Sequence, residues 1–202
     1  MHSKFVPVLW SISVVGCMVA STVTYEAPLV AVRRPADVQK RWGPYRLDKT
    51  DTSYTYTDSL IRIAFVPLHG KFAFELENLT GHTLQIIWDE MAYVGPYRTS
   101  SRVSPGETRV IDMERQHPPT VVPPNAKVIK IAIPNDLYHT RADGDYVEDF
   151  VDTLAASQAE GKEIQLLIPI RVEDVVNEYT FVFRLSHVAL AKPKETGDRG
   201  LP

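Results

Sequence analysis

Ile164-Gln165-Leu166-Leu167-Ile168-Pro169-Ile170-Arg171-Val172-Glu173-Asp174-Val175-Val176-Asn177-Glu178-Tyr179-Thr180-Phe181-Val182-Phe183-Arg184-Leu185 decides the fold class. Successive side chains of a strand point to opposite faces, so Ile164, Leu166, Ile168, Ile170 and Val172 all point one way. Tyr179, Phe181, Phe183 and Leu185 answer on a return strand, with the reversal expected at Asp174 to Asn177. A period of two carried by β-branched and aromatic residues predicts an antiparallel hairpin.

The same pattern recurs upstream. Leu60 to Val66 and Lys71 to Asn78 flank the turn cluster Pro67-Leu68-His69-Gly70, and Phe72, Phe74 and Leu76 share one face of the second run. Leu84, Ile86 and Trp88 alternate likewise, which puts Trp88 in the core. Further strands are expected at Arg98 to Val103, at Thr108 to Asp112 after Ser104-Pro105-Gly106, and at Lys127 to Ile133. Met113 to Asn125 holds four prolines and reads as an extended surface loop. One helix is predicted, capped by Asp145 with Glu148 three residues later, and striped by Tyr146, Val147, Phe150, Val151 and Leu154. Seven or eight short strands with this helical insert predict an all-β chain over residues 54–190. The expected architecture is an antiparallel β-sandwich of immunoglobulin-like type, although a barrel meets the same strand count.

Outside that domain, residues 17–53 read as a tether, with a short helix from Pro35 to about Trp42 that Gly43-Pro44 would stop. Residues 191–202 read as a polar, disordered tail. The chain has 202 residues, a net charge of −3 and a single cysteine, Cys17. Loss of Lys4 with a cleaved leader would take the charge to −4, which argues against nucleic-acid binding, and Arg33-Arg34 and Lys40-Arg41 are too sparse for a basic stripe. No disulfide can form within the chain, so stability must come from an ordinary core. A processed chain of about 186 residues can bury roughly 70% of its unfolded surface, enough for one domain.

Lys4, the apolar stretch Phe5 to Val15 and the small residue before Cys17 have the layout of a secretory signal, and the run is too short to span a bilayer. Val14-Val15-Gly16-Cys17 resembles the bacterial lipobox. That resemblance implies a signal peptide at residues 1–16 and a Cys17 that is diacylglycerated, cleaved and N-acylated. Each buried methylene contributes about 0.8 kcal/mol, so two or more acyl chains would hold the protein stably on a membrane. Met18 after Cys17, rather than Asp, resembles the sorting signal that sends enteric lipoproteins to the outer membrane. The runs Phe74-x-Leu76-x-Asn78-x-Thr80, Leu84-x-Ile86-x-Trp88-Asp89 and Ser101-Arg102-Val103-x-Pro105-Gly106 are similar to small bacterial envelope lipoproteins with a sandwich domain. This implies an address and not a reaction.

Asp143, Asp145, Glu148, Asp149 and Asp152 form the strongest candidate for a metal or ligand site, because hard cations need several carboxylate oxygens close together. Their spacing does not fit an EF-hand, and an acidic helix start complements the backbone dipole without any ion. His2 lies in the leader, and His69, His82, His117, His139 and His187 show no paired ligand spacing. There is no GxSxG, SxxK, P-loop or GxGxxG motif. A hydrolase would have to gather His139 or His187 with a carboxylate and a hydroxyl. Asn78-Leu79-Thr80 has the form of a glycosylation acceptor and reads as a turn. Tyr93, Tyr97, Arg98 and Arg102, beside Gly95-Pro96, are candidate partner-binding residues, since Tyr and Arg anchor interfaces. The expectation is therefore a noncatalytic, lipid-anchored envelope protein without cofactor, facing the periplasm from the outer membrane. Its domain would bind a protein or a surface polymer, for example through an edge strand, or support an envelope assembly. The alternative is a metal- or ligand-binding accessory protein using the acidic cluster at 143–152.

Overall fold

In a computed structural model, which describes residues 22–34, 44–50 and 53–191, the hairpin of the opening stretch lies one strand in from an edge of the main sheet. The chain is all-β and antiparallel, with sixteen strands among the described residues where seven or eight were expected. In chain order these are β1 (Thr22–Glu26), β2 (Leu29–Arg33), β3 (Arg46–Lys49), β4 (Tyr54–Thr57), β5 (Ile61–Leu68), β6 (Lys71–Asn78), β7 (Leu84–Ile86) and β8 (Ala92–Val94). There follow β9 (Ser100–Pro105), β10 (Thr120–Val122), β11 (Lys127–Pro134), β12 (Tyr138–Arg141), β13 (Gly144–Val147), β14 (Glu163–Val172), β15 (Val175–Arg184) and β16 (Ser186–Ala191). The leader and Cys17, the short helix expected from Pro35 to Trp42 and the tail from residue 192 lie outside the described residues.

β14 and β15 pair along their full lengths, and Val172 opposite Val175 closes a turn of only two residues, Glu173 and Asp174. The reversal is thus shorter than Asp174 to Asn177, because Glu173 adopts a φ of 52°, which a tight hairpin turn requires. Asn177 is instead a buried strand residue that donates to the Ile170 carbonyl. Pro169 sits inside β14, where a missing N–H would break a ladder. The neighbouring strand makes room for it: β7 pairs with residues 170–172, β8 with residues 165–167, and a 3-10 turn at Trp88–Glu90 separates them. One bond spans the gap, from the Ile87 N–H to the Pro169 carbonyl at 3.1 Å. Trp88, expected at the end of a strand, is in this turn and is buried, donating its indole N–H to Thr120 Oγ1 at 2.8 Å.

Twelve strands form one continuous curled sheet, and β9 is where it folds over. Its residues 100–102 pair with β8, and residues 103–105 pair with β11, so one strand serves two faces of a half-barrel. The inward faces meet through aromatic rings: Phe65 is 4.8 Å from Phe181 and 5.2 Å from Phe183 between ring centroids, and Tyr56 is 5.8 Å from Tyr179. Such pairs contribute about 0.5 to 1.5 kcal/mol each beyond their burial. Among the described residues no helix is long and apolar enough to cross a membrane.

Three expectations are corrected by long-range pairing. Residues 22–33, read as tether, form β1 against β16 and β2 against β15, with Val23 and Val32 buried. Their partners lie some 150 residues away, beyond any local periodicity. The predicted strand at Thr108 to Asp112 is a 3-10 turn at Val110–Asp112, because β9 already has partners on both edges and offers no place for it. Thr120–Val122, inside the expected loop, pairs with β7 as a short strand.

The helix predicted from Asp145 to before Gly161 forms only in its last part, as a 3-10 helix at Thr153–Gln158. Gly144, at a φ of 130°, turns the chain so that Asp145, Tyr146 and Val147 pair with Thr140, His139 and Tyr138. That ladder uses the backbone groups a helix would need. Phe150 and Val151 still reach the core, from a bend, while Leu154 is 92% exposed. Asp152, not Asp145, is the cap: its carboxylate accepts the Leu154 N–H at 2.8 Å and starts a 3-10 helix at Thr153–Gln158. The hairpin presses on the β5–β6 turn, where Gly70 has a φ of 65° and a Cβ would overlap the Glu148 carbonyl oxygen. Gly70→Ala is expected to cost about 2 kcal/mol or more, read as a lower denaturant midpoint with unchanged slope.

Candidate functional site

The segment from Glu148 to Thr153 bends at Phe150 and Val151 as it passes the β8–β9 turn, and the two enclose a cleft of about 490 Å³. Its walls bring together Tyr93 and Tyr97 from one side and Asp136, Glu148, Asp149 and Asp152 from the other. Phe150 and Val151, both buried, belong to its floor. Half of the predicted partner-binding residues and three of the five predicted acidic residues therefore share one site. Sequence reasoning treated them as two separate features.

The remaining predicted residues lie elsewhere. Arg98, exposed, holds the β8–β9 turn at a φ of 67°. Arg102 opposes Ala92, on the face away from Tyr93, and lies 3.5 Å from both Asp89 and Glu114. Asp143 is exposed in the β12–β13 turn, and Asp145 accepts the Thr140 hydroxyl at 2.6 Å. Among the described residues no three His, Cys, Asp or Glu side chains stand close enough to hold a metal ion. The acidic residues line a groove without converging on a point.

No lysine or arginine lines the cleft. Asp136 accepts the Ser101 hydroxyl at 2.7 Å, Asp152 accepts backbone and hydroxyl donors, and Glu148 meets His139 Nε2 at 3.5 Å. Asp149 Oδ1 accepts the Tyr25 hydroxyl at 2.5 Å and lies 3.1 Å from His69 Nδ1. Burial first, and then this carboxylate, hold the Tyr25 phenol far above the ordinary tyrosine range. Tyr25 and His69, in edge contact at 5.3 Å, also line a separate apolar cavity of about 60 Å³.

Tyr93 is 1% exposed and its hydroxyl makes no hydrogen bond among the described residues. A Cβ built on Gly95, itself in the cleft wall, would stand 3.5 Å from that hydroxyl, which places the oxygen at the wall. Burial, and secondarily the Asp136 charge, keep it a neutral phenol. Tyr97 is 43% exposed, and Lys162 Nζ stacks 3.9 Å from its ring centroid. This ring already accepts an ammonium within the protein.

His187 is 79% exposed by its side chain, with Glu26 at 3.6 Å, and among the described residues no serine or threonine hydroxyl bonds to it or to His139. Ser104 and His117, which sequence reasoning did not pair, lie 3.2 Å apart. Ser104 Oγ also lies 2.8 Å from Asn135 Oδ1, and the direction of its bond with His117 follows the imidazole tautomer. Asn78 is buried, donating to the His82, Val122 and Pro123 carbonyls and accepting from Thr80, so it is a structural pin for its turn.

A second buried cluster was not legible in the sequence. Asp58, with no exposed side-chain surface, accepts from Arg34 Nη1 at 3.1 Å, the Tyr56 hydroxyl at 2.8 Å and the Tyr179 hydroxyl at 3.1 Å. It also accepts the Leu60 and Ile61 N–H groups at 2.8 and 3.0 Å. Tyr56 and Tyr179 are pushed far above the ordinary tyrosine range by burial and then by the Asp58 charge. Every partner of this carboxylate is a protein group, which marks it as a core clamp.

Compared with known proteins, the chain matches no family, no curated protein and no solved structure.

Proposed function

We propose that this chain is a noncatalytic, lipid-anchored protein of the bacterial cell envelope, held by Cys17 at the outer membrane and facing the periplasm. Its β domain, read as a sandwich of immunoglobulin-like type, acts as a binding or assembly module. The observation that carries the reading is the placement of Val14-Val15-Gly16-Cys17 directly ahead of a folded domain whose first described strand begins at Thr22. Five residues span at most about 18 Å, so an acylated Cys17 would hold the β1–β16 pair close to the headgroups. Support for a binding role comes from the aromatic and acidic cleft. An edge is also open, because β3, with all four residues exposed, pairs only with β4 among the described residues.

Mass spectrometry of the protein isolated from membranes is expected to show loss of residues 1–16 and added acyl mass on Cys17. Cys17→Ser is expected to move the protein from the membrane fraction to the soluble fraction with its fold intact. An intact Met1 with a bare thiol at Cys17 rejects the anchor.

The second reading, a ligand-binding accessory protein using the acidic cluster, is favoured by the convergence of Glu148, Asp149 and Asp152 on the cleft. It concerns the same site and is compatible with the anchor.

A further inference from the structure

We propose that the cleft between the β8–β9 turn and residues 148–153 binds an organic cation, a primary ammonium or guanidinium group carried on a short apolar stem. The inference rests on the reading of the domain as a binding module and names the chemistry of what it binds.

Four carboxylates, Asp136, Glu148, Asp149 and Asp152, line the cleft, and no lysine or arginine does. None of the four forms an ion pair with a lysine or arginine among the described residues; Asp149 and Glu148 face only His69 and His139. A concave site with one sign of charge focuses potential and favours a cation over a neutral ligand. An acidic lining alone would be a solvated surface. What separates this cleft from such a surface is Tyr93, buried to 1% exposure on a core strand, with a hydroxyl that no described residue bonds and that keeps contact with the cleft. An oxygen so placed can take a donor from outside without giving up a bond inside the protein.

The rest of the lining matches the proposed ligand. An ammonium or guanidinium carries several N–H donors and needs acceptors on more than one side, which the carboxylates and the Tyr93 oxygen supply. Tyr97 adds an aromatic wall, with Lys162 Nζ already 3.9 Å from its ring centroid. Phe150, Val151 and Pro96 offer apolar surface for the stem. The volume, about 490 Å³, is in the range of small-molecule sites and exceeds what a bare inorganic ion would fill. The dispersal of the carboxylates along the groove also suits a delocalised or elongated cation better than a metal ion.

The same chemistry could come from a free amine or from a lysine side chain of a peptide, so two probes are needed. The processed chain is titrated calorimetrically with 1,4-diaminobutane and with acetyl-Gly-Lys-Gly-amide, and 1,4-butanediol serves as the uncharged control. Saturable heat with at least one amine, at a Kd of about 1 mM or tighter, and none with the diol is the expected result. A response to the diamine alone assigns a free amine, and a response to the peptide assigns a basic side chain. Tyr93→Phe should weaken binding about 5- to 10-fold without lowering Tm, because the hydroxyl has no partner inside the protein. Glu148→Gln should weaken it by a similar factor, and added salt should do so progressively.

Silence with both amines up to about 10 mM overturns the proposal, as does equal heat with the diol or full affinity in Tyr93→Phe. These outcomes are separable from failure of the anchor. A chain acylated at Cys17 that ignores amines loses the ligand and keeps the address, whereas a bare thiol with amine binding does the reverse.

Discussion

Asp58→Ala is expected to lower the unfolding free energy by about 3 to 5 kcal/mol, the cost of breaking a buried ion pair from one side. Arg34, 2% exposed by its side chain, would lose its contact with this carboxylate. The Tyr56 and Tyr179 hydroxyls and two backbone N–H groups would lose their acceptor at the same time. For a domain of this size the change is about 10 °C in Tm. Asp58→Asn should recover part of the loss by keeping the shape and one acceptor oxygen. The double variant Arg34→Met with Asp58→Leu should fall well short of the sum of the single losses, because the two side chains contact each other and are removed together. Strict additivity in that cycle would show that the two side chains do not work as a pair.

Alkaline pH should unfold the protein for a related reason. Tyr25, Tyr56, Tyr93 and Tyr179 all have phenols raised far above the free value of 10, chiefly by burial. A raised folded-state value means that their stabilisation is fully present below pH 10 and is lost as pH climbs above it, since only the unfolded chain can then release the protons. Each group removes about 1.4 kcal/mol per pH unit in that range, so four together remove about 5 kcal/mol by pH 11. Denaturant midpoints compared between pH 8 and pH 11 measure the loss. Absorbance of tyrosinate gives the independent check: of the nine tyrosines, these four should stay silent until the chain unfolds. Ionisation of all nine in the folded chain would remove the effect. Tyr56→Phe combined with Tyr179→Phe should roughly halve the pH slope.

The clamp and the cleft were hidden from the sequence for the same reason. Tyr54-x-Tyr56-x-Asp58 reads as an ordinary strand leading into a turn, and nothing local distinguishes Asp58 from a turn residue. Its partners Arg34 and Tyr179 stand 24 and 121 positions away. Arg33-Arg34 was too sparse to read as a basic stripe, and Arg34 turns inward to the carboxylate. At the cleft, Tyr93 and Tyr97 were legible as candidates and so were Glu148, Asp149 and Asp152. Asp136 was not, because a single acid after Pro134 carries no pattern. The helix predicted from Asp145 to before Gly161 shows how a real apolar stripe can mislead. Phe150 and Val151 are indeed core residues, yet a stripe records which side chains are buried and not which backbone conformation buries them.

What the sequence by itself determined is the all-β class and which face of its main hairpin is buried. Alternation along Ile164 to Val172 and Tyr179 to Leu185 admits only one buried face, and a one-residue slip would turn every apolar side chain outward. What only the tertiary structure decided is which strands share edges: that residues 22–33 close the sheet, that β9 serves two faces, and that two distant segments wall one cleft. Strands pair through backbone N–H and C=O groups that are the same at every residue. Side-chain periodicity can therefore announce a strand without naming its neighbour.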